Sequence, residues 1–431
     1  MFPKSPMTRH KQNASFVSPL LQFAITVAAL VLAATTLAGA QSYRVLHSFS
    51  LTEGQSPNGL IVDSAGNLFG TTADSTCCGS VFELSPASPA WKFTKIYQFQ
   101  GIPDGSNLSG GPLVMDKAGN LYGTTYGGGQ GGCALDEGCG TFFELSPTST
   151  GTWQETLSMN GTFGGSWNPS GGLISDANGR LFGVAITAGG SASEGCWLYG
   201  CGGVFEATQS SSGWTISKVY NPPLYATDAA HVGLLTLGSD GALYAAAGGG
   251  TNGLGCLLSL RQNADGTWTE HILHNFRGGT DGSLGGYSPI PGLTPDGHGA
   301  FYGTTALGGK ANRGTAFKLA RNSSGQWTVT VIFNFGTMGK GPYGTLVFDT
   351  HGNLYGTAHG GDTACGTQGC GILFKLTPSS TGTWTGQIVH RFSGTDGDTP
   401  DNLIVDGKGH IFGITLGGGA NASGAVFELT P

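Results

Sequence analysis

The chain has 431 residues, of which only 10% are charged and 78 are glycine, and its formal net charge at pH 7 is −7. Binding to nucleic-acid phosphates requires clustered Lys and Arg, which this acidic chain lacks, so we expect no nucleic-acid partner. Phe, Trp, Tyr and Leu recur at regular intervals along the chain. This periodicity favours a packed core over disorder, with the glycines at turns and at close contacts between strands.

The first 40 residues have the pattern of a secretory signal. Three basic residues precede an apolar stretch over residues 23–37, and the small residues Ala38-Gly39-Ala40 follow as a cleavage site. The stretch is short and no stop-transfer pattern follows it, so a membrane-spanning helix is the weaker alternative. We predict that residues 1–40 are removed, that the mature chain is secreted to the periplasm or the extracellular space, and that it does not insert into a membrane.

One sequence unit recurs seven times in the rest of the chain. Its most regular part is a hairpin of the form Asp-x-x-Gly followed by apolar and aromatic residues and a Gly. The seven hairpins begin at Asp63, Asp116, Asp176, Gly238, Asp296, Asp349 and Asp406. Successive hairpins lie 53 to 62 residues apart. Units of about this length, with several short apolar runs, are typical of four-stranded propeller blades.

The first unit indicates how four strands arise. Residues 59–62 are a continuous apolar run, typical of a strand buried on both faces. Residues 63–66 form a turn, since its Asp can bond the following amides and its Gly can adopt a positive φ. Residues 67–72 and 81–84 are the second and third strands. Residues 91–99 alternate with the period of two that a half-exposed outer strand shows.

The last unit predicts how the ring closes. Six outer strands begin with a Trp, namely Trp91, Trp153, Trp214, Trp268, Trp327 and Trp384. The seventh unit ends with its third strand, residues 426–429, whereas residues 43–49 match an outer strand and precede the first inner strand. We therefore predict an all-β fold, a seven-bladed β-propeller with four antiparallel strands per blade, forming a single domain over residues 41–431. The amino-terminal strand 43–49 completes the last blade, which removes exposed sheet edges.

Chain connectivity divides the loops between two faces. Loops from the second to the third strand, and from one blade to the next, share one face, here termed the loop face. The Asp-x-x-Gly turns and the Ser-Pro loops lie on the opposite face, termed the turn face. Most of the sequence variety falls on the loop face, where we expect the binding site.

Six cysteines bracket loops of the loop face in three pairs. In a secreted chain this spacing predicts local disulfides, which are Cys133–Cys139, Cys196–Cys201 and Cys365–Cys370. A zinc site is the weaker alternative, because the pairs lie on separate blades. The adjacent Cys77 and Cys78 form a vicinal bridge or remain reduced, and Cys256 is predicted to be a buried thiol.

Candidate ligand-binding residues are loop-face side chains that do not repeat from blade to blade. Exposed Trp and Tyr near Asn and Asp suit stacking on sugar rings, although packing under glycine-rich loops explains them equally well. Two histidines are placed where they could face the central channel, although a structural role is the default for each. The candidate set is Trp167, Trp197, Tyr199, Tyr287, His231 and His359.

The sequence also offers one candidate metal site. Asp396, Asp398 and Asp401 are three carboxylates within six residues, which could hold calcium together with backbone carbonyls. The segment lacks the Gly and the distal Glu of the helix-loop-helix calcium loop, so we expect no cofactor, with calcium here as the alternative. We assign no catalytic residue, because no nucleophile and base stand out. The hairpin Asp recurs in six units, whereas a catalytic centre needs one or two unusual residues.

The unit GLIVDSAGNLFGTT, followed by GSVFELSP, and its six relatives resemble the choice-of-anchor tandem-repeat family of GloVer-containing proteins, which are predicted exported bacterial proteins. The resemblance covers residues 43–431. Members often carry a carboxy-terminal sorting segment, but this chain ends on a repeat strand, so we expect no surface anchor. The family implies no active-site residues. More distantly, the hairpin looks like turns of NHL-type and lyase-type propellers, which include metal-dependent enzymes.

These observations predict a secreted, monomeric binding or interaction module. Its expected partner is an extracellular glycan or protein, such as a carbohydrate or another component of the cell envelope. One alternative is a metal-dependent lyase or hydrolase at the channel mouth, and another is a purely structural repeat protein. An enzyme would gather ionisable side chains around one point, a binding module would present a broad surface with aromatics, and a spacer would have no concave site.

Overall fold

A computed structural model describes residues 41–73, 78–108, 111–129, 138–157, 168–185, 202–222, 229–284, 292–360, 365 and 369–431. The predicted signal segment lies outside these residues. Ser42–Thr430 form one compact unit, and its described part contains strands and no helix. Accordingly, none of the residues described here belongs to a helix long and apolar enough to cross a membrane.

The first strand in the chain is β1 (Ser42–Ser48), which belongs to the last blade. Blade 1 contains β2 (Gln55–Val62), β3 (Leu68–Ala73), β4 (Ser80–Ser85) and β5 (Lys92–Gln98). Blade 2 contains β6 (Val114–Met115), β7 (Leu121–Thr125), β8 (Thr141–Pro147) and β9 (Trp153–Leu157). Blade 3 contains β10 (Ile174–Ser175), β11 (Leu181–Ala185), β12 (Gly203–Ser210) and β13 (Gly213–Tyr220).

Blade 4 has a divided inner strand, with β14 (Ala229–Val232), β15 (Thr236–Leu237), β16 (Leu243–Gly249), β17 (Cys256–Gln262) and β18 (Trp268–Asn275). Blade 5 contains β19 (Thr294–Pro295), β20 (Phe301–Thr305), β21 (Thr315–Arg321) and β22 (Trp327–Asn334). Blade 6 contains β23 (Lys340–Phe348), β24 (Leu354–Gly360), β25 (Ile372–Pro378) and β26 (Trp384–Arg391). Blade 7 contains β27 (Asp398–Val405), β28 (Ile411–Gly417) and β29 (Ala425–Thr430).

The predicted seven-bladed propeller is confirmed, including its closure. Every sheet is antiparallel, and in blade 7 the strand order is β27-β28-β29-β1. The amino-terminal strand pairs along the carboxy-terminal one, with Tyr43 opposite Leu429 and Val45 opposite Phe427. Pairing the two ends of the chain covers the edge of β29 and gives the last blade its fourth, outer strand.

The turn-face hairpins form as the sequence predicts. In blade 1, Asp63 Oδ1 accepts hydrogen bonds from the amides of Ala65 and Asn67 at 2.9 and 2.8 Å. Gly66 adopts a φ of +91°, a conformation that is open mainly to glycine. The carboxylate thus satisfies the turn amides and fixes the register of the second strand against the first.

Within most blades, a glycine of the second strand lies opposite a phenylalanine of the third strand. A Cβ built on Gly303 of β20 would lie 2.6 Å from Cζ of Phe317 in β21, so the ring occupies the space that a side chain would need. The same relation holds for the pairs Gly70–Phe82, Gly123–Phe143, Gly183–Phe205, Gly356–Phe374 and Gly413–Phe427. Blade 4 has Ala245 opposite Leu258 instead, so that an alanine stands in place of the glycine and the smaller leucine stands in place of the phenylalanine.

The axis of the propeller is narrow. Seven buried leucines anchor the inner strands, namely Leu60, Leu113, Leu173, Leu235, Leu293, Leu346 and Leu403. Glycines just before them bring neighbouring blades close together, and a Cβ built on Gly111 of blade 2 would lie 2.7 Å from the amide nitrogen of Gly172 in blade 3. Leu234 of blade 4 comes close to glycines of blades 2, 3 and 5. Inner-strand segments of all seven blades also line a cavity of about 420 Å³ on the axis.

Candidate functional site

A cavity of about 710 Å³ opens on the loop face where blades 5, 6 and 7 meet, here termed the loop-face cavity. Its walls come from the loop between β20 and β21, the facing ends of β23 and β24, and the beginning of β27. It is lined by Ala306, Leu307, Ala311, Asn312, Arg313, Lys340, Gly341, Tyr343, His359, Gly360, Gly369 and Thr399. A volume of this size is typical of sites for small-molecule ligands.

The pairing of β23 with β24 positions the blade 6 residues. Lys340 lies opposite Gly360, and Tyr343 lies opposite Thr357. A Cβ built on Gly360 would lie 2.4 Å from Cγ of Lys340, so the lysine chain lies directly across this bare backbone. The hydroxyl of Thr357 donates to the Tyr343 carbonyl at 2.7 Å, which ties the two strands together beside the cavity.

The blade 5 wall is a loop fastened at several points. The amide of Gly308 donates to Asn312 Oδ1 at 2.9 Å, and the amide of Gly314 donates to the Gly308 carbonyl at 3.0 Å. The amide of Gly341 in blade 6 donates to the Arg313 carbonyl at 3.1 Å. These bonds hold the loop that carries Arg313 against the start of β23.

A disulfide lies beside the third wall. Cys365 and Cys370 are bonded with their Cα atoms 4.9 Å apart, which confirms this predicted pair. The amide of Thr399 donates to the Cys370 carbonyl at 3.0 Å, so the short disulfide loop and the start of β27 are held together. Gly369, one residue before Cys370, lines the loop-face cavity.

The other cysteine predictions fall mostly beyond the described part. Cys133, Cys196 and Cys201 lie outside the described residues, as does Cys77. Cys78 and Cys139 are both disulfide-bonded. Cys256 is a buried thiol at the start of β17, in agreement with its expected place at a third strand.

His359 is the most unusual titratable group of the loop-face cavity. Its imidazole packs against the Tyr343 ring, with centroids 4.6 Å apart and planes tilted by 35°. Within the described part, Nε2 of His359 is buried and has no hydrogen-bond partner. Burial lowers the pKa of His359, and the carboxylates of Asp401 and Asp398 oppose that shift. The imidazole is therefore neutral at pH 7.

Asp401 is the acidic neighbour of this histidine. Burial raises the pKa of Asp401, while a hydrogen bond from the Asn402 amide at 2.7 Å and the nearby His359 oppose the rise. The structure thus brings His359 within electrostatic reach of Asp398 and Asp401, which are far from it in sequence. Titratable groups with perturbed pKa values beside a cleft are found both in functional sites and in structural ion-pair networks.

His231 does not join this group. It is the third residue of β14 in blade 4, where it has a φ of +51°, and burial lowers its pKa. It is not among the residues that line the loop-face cavity. The four predicted aromatic ligands, Trp167, Trp197, Tyr199 and Tyr287, lie outside the described residues. Of the predicted ligand-binding set, His359 is the described residue that lines this cavity.

The three carboxylates of the candidate calcium site are not gathered around one point. Asp396 accepts hydrogen bonds from the amide and hydroxyl of Ser393, both at 2.8 Å, and its Oδ2 lies 2.7 Å from His390 Nε2. Asp398 instead accepts from the Thr399 hydroxyl at 3.1 Å. Throughout the described ranges, no three His, Cys, Asp or Glu side chains lie close enough to hold a metal ion. The Asp396 carboxylate already accepts hydrogen bonds from the residues of its own turn.

Arg313, Lys340 and Tyr343 are cavity residues that the sequence reasoning missed. A signal for Tyr343 was present, because a proline near the start of several inner strands is followed by a residue that changes in every blade. Among the described residues, these prolines and their successors are Pro57-Asn58, Pro169-Ser170, Pro342-Tyr343 and Pro400-Asp401. A changing position among repeating neighbours indicates function, whereas Arg313 and Lys340 carry no comparable signal.

Several solved structures are similar to this chain at low sequence identity. Virginiamycin B lyase from Staphylococcus aureus is 15% identical, with a TM-score of 0.51 over 91% of this chain and 99% of that chain. A catalytically inactive variant of that lyase with quinupristin is 14% identical, with a TM-score of 0.54 over the same shares. A gluconolactonase from Xanthomonas campestris is 12% identical, with a TM-score of 0.42 over 91% and 89% of the two chains. A search of curated proteins found no match.

The repeat itself gives a more specific relationship. The sequence model of the Gloeobacter/Verrucomicrobia repeat matches the chain in three overlapping spans, residues 33–198, 78–287 and 190–427. Together these spans include all seven hairpins and most of the third strands. They confirm the resemblance read from the hairpin and third-strand motifs. The chain therefore belongs to the Gloeobacter/Verrucomicrobia repeat family.

Proposed function

We propose that the protein is an exported binding propeller that recognises a carbohydrate in the loop-face cavity. The observation that carries this proposal is the packed pair of Tyr343 and His359 inside a cavity of about 710 Å³ between three blades. An aromatic face suits the apolar C–H face of a sugar ring, and nearby polar groups suit its hydroxyls. The Thr399 hydroxyl and the Lys340 ammonium provide such groups on the cavity wall.

Rigid walls favour binding by this cavity. Tyr343 and His359 belong to paired strands, and the blade 5 loop and the disulfide loop are each fastened by backbone hydrogen bonds. A preformed site loses little conformational entropy when the ligand binds. The Cys365–Cys370 disulfide also supports export, because disulfides persist mainly outside the reducing cytoplasm.

A lyase or hydrolase is the second candidate function. It is favoured by one observation, the neutral, half-buried His359 within electrostatic reach of Asp401, a residue whose pKa is raised by burial. A neutral imidazole can act as a general base when a substrate lies within hydrogen-bond distance of it and gives up a proton to it. In that case, a bound sugar would be converted to a product, and His359→Gln would abolish turnover while retaining binding.

Glycan-array screening of the full chain, followed by calorimetric titration of the sugars that bind, tests the proposal. Tyr343→Ala is expected to weaken binding by about tenfold or more, because the stacking surface is lost. Tyr126→Ala is the matched control, since Tyr126 is a half-buried loop-face tyrosine in blade 2. Far-ultraviolet circular dichroism confirms that both variants fold. The proposal is wrong if no glycan binds, or if Tyr343→Ala binds as tightly as the control.

A further inference from the structure

We infer that the sugar recognised by the loop-face cavity is acidic, carrying a carboxylate such as that of a uronic acid. This inference rests on the proposed function and adds the chemical class of the ligand. Its basis is the charge on the cavity wall. Arg313 and Lys340 line the cavity, and no acidic residue does so in the part of the chain that is described.

The two cations are brought together by a backbone contact between blades. The Arg313 carbonyl accepts the Gly341 amide at 3.1 Å, and Lys340 is the residue immediately before Gly341. Arg313 comes from the loop of blade 5 and Lys340 from the first strand of blade 6. The backbones of these two residues therefore meet at one short seam, and both residues line the loop-face cavity, where a ligand carboxylate can contact either side chain. Arginine suits this role because its planar guanidinium binds carboxylates through two parallel hydrogen bonds.

The lysine is partly preorganised. Its aliphatic chain lies across Gly360, where a Cβ would approach Cγ, Cδ and Cε to between 2.4 and 3.1 Å. A glycine at residue 360 is thus needed for the observed path of the lysine. Contact along the aliphatic part of the lysine side chain restricts the positions that the ammonium group samples. Less conformational entropy is therefore lost when the ammonium binds an anion.

The other charges of the chain limit how far the positive charge of Arg313 and Lys340 acts. The whole chain has a formal net charge of −7, so long-range attraction does not draw anions to it. Asp398 and Asp401 influence His359 electrostatically, but neither lines the loop-face cavity. The positive charge on the wall is therefore local, and it acts on a ligand held by Tyr343 rather than on anions in general. We expect binding to be selective for ligands that combine a sugar ring with a carboxylate.

Calorimetric titration of the full chain with three probes tests this inference. The probes are trigalacturonic acid, the neutral galactose trisaccharide of the same linkage, and inorganic phosphate. The acidic sugar is expected to bind at least about tenfold more tightly than the neutral one, and less tightly in high salt. Arg313→Gln and Lys340→Gln should each remove most of that preference, because each lowers the affinity for the acidic sugar more than the affinity for the neutral one. Lys310→Gln, on the same blade 5 loop but outside the cavity lining, should change neither.

The outcomes separate the two claims. Equal binding of the acidic and neutral sugars, or unchanged binding by Arg313→Gln and Lys340→Gln, overturns the acidic ligand and leaves carbohydrate binding in place. Phosphate binding as tightly as the acidic sugar also overturns it, because the site would then be a general anion site. If neither sugar binds, or if Tyr343→Ala leaves both affinities unchanged, the proposed function fails as well.

Discussion

The Tyr43 ring stacks on the His390 imidazole, with centroids 3.6 Å apart and planes within 9° of parallel. Tyr43 belongs to β1, the amino-terminal strand of blade 7, and His390 belongs to β26, the outer strand of blade 6. The ring is closed in two ways, by the pairing of β1 with β29 and by this contact with the neighbouring blade. The Asp396 carboxylate bonded to His390 holds the imidazole in place.

Removing the tyrosine ring should weaken closure. We expect Tyr43→Ala to lower the free energy of unfolding by about 2–3 kcal/mol, because the ring contacts are lost and the β1 position becomes a cavity. Urea denaturation measures the change. Ser42→Ala, an exposed position on the same strand, should change stability by less than about 0.5 kcal/mol. Equal stability of the two variants would show that the stacking contact contributes nothing to closure.

Related contacts join other neighbouring blades at the same level of the outer strands. The His47 ring of blade 7 stacks on Phe93 of blade 1, with centroids 4.9 Å apart. The Tyr97 hydroxyl of blade 1 donates to Glu155 of blade 2 at 2.5 Å. Each contact joins the end of one outer strand to the beginning of the next. This explains why aromatic residues and histidines recur near the ends of outer strands.

The Glu155 contact predicts a pH effect on stability. Burial raises the pKa of Glu155 to about 8, and Asp104 contributes in the same direction, although the Tyr97 hydrogen bond opposes them. The folded protein therefore keeps a proton that the unfolded chain releases near its ordinary pKa of 4.5. Stability from this group is complete below that value and falls as pH rises towards 8. Glu155→Gln should flatten the dependence of the free energy of unfolding on pH between these values, as measured by urea denaturation. Parallel curves for the two proteins would contradict the assignment.

Three histidines predict that the free energy of unfolding also falls when the pH is lowered. Burial lowers the pKa of His47, His274 and His359. A folded-state pKa below the ordinary value means that the unfolded chain takes up protons first, so stability is lost as pH falls below about 6.5. Replacing His359 with Gln should reduce this loss, measured as the change in thermal midpoint between pH 7 and pH 5. If this change in thermal midpoint is the same in the variant, His359 has the same pKa in the folded and the unfolded protein.

The glycine–phenylalanine pairs predict coupling between facing strands. Gly303→Ala should destabilise the protein by about 1–3 kcal/mol, because the new Cβ overlaps the Phe317 ring. Adding Phe317→Leu reproduces the pair found in blade 4, Ala245 opposite Leu258, and should recover part of the loss. A double-mutant cycle by urea denaturation should give a coupling energy of about 1 kcal/mol or more. Additive effects would show that the ring does not need the bare glycine.

The hairpin carboxylates predict a further stability effect. Asp349 Oδ1 accepts the amides of His351 and Asn353 at 2.8 and 2.9 Å, and Oδ2 accepts the Asn353 side chain at 2.6 Å. Asp349→Ala should cost about 2 kcal/mol, because the turn amides lose their partner. Asp349→Asn keeps one acceptor and should cost less. A calorimetric midpoint that is the same for both variants would contradict this role.

The regular parts of the fold could be predicted because they repeat. Each of the seven units carries its own apolar runs and turn residues, and six of them a leading Trp, so the same strand pattern was indicated several times independently. The match between residues 43–49 and the other outer strands also predicted closure, which the pairing of Tyr43 with Leu429 confirms. The candidate site was less accessible. His359 was identified as an unusual residue, but its neighbours Arg313 and Tyr343 come from other strands and loops.

The amino-acid sequence alone determined the blade count, the strand order and the turn chemistry, because these depend on local periodicity and on residues within a few positions of one another. Only the tertiary structure decided which side chains share a cavity. The register of β23 against β24 and the hydrogen bond from Gly341 to Arg313 bring together residues of different blades. Such contacts depend on packing between blades. The repeated sequence pattern does not indicate which blade contributes the charged side chains and which contributes the aromatic one.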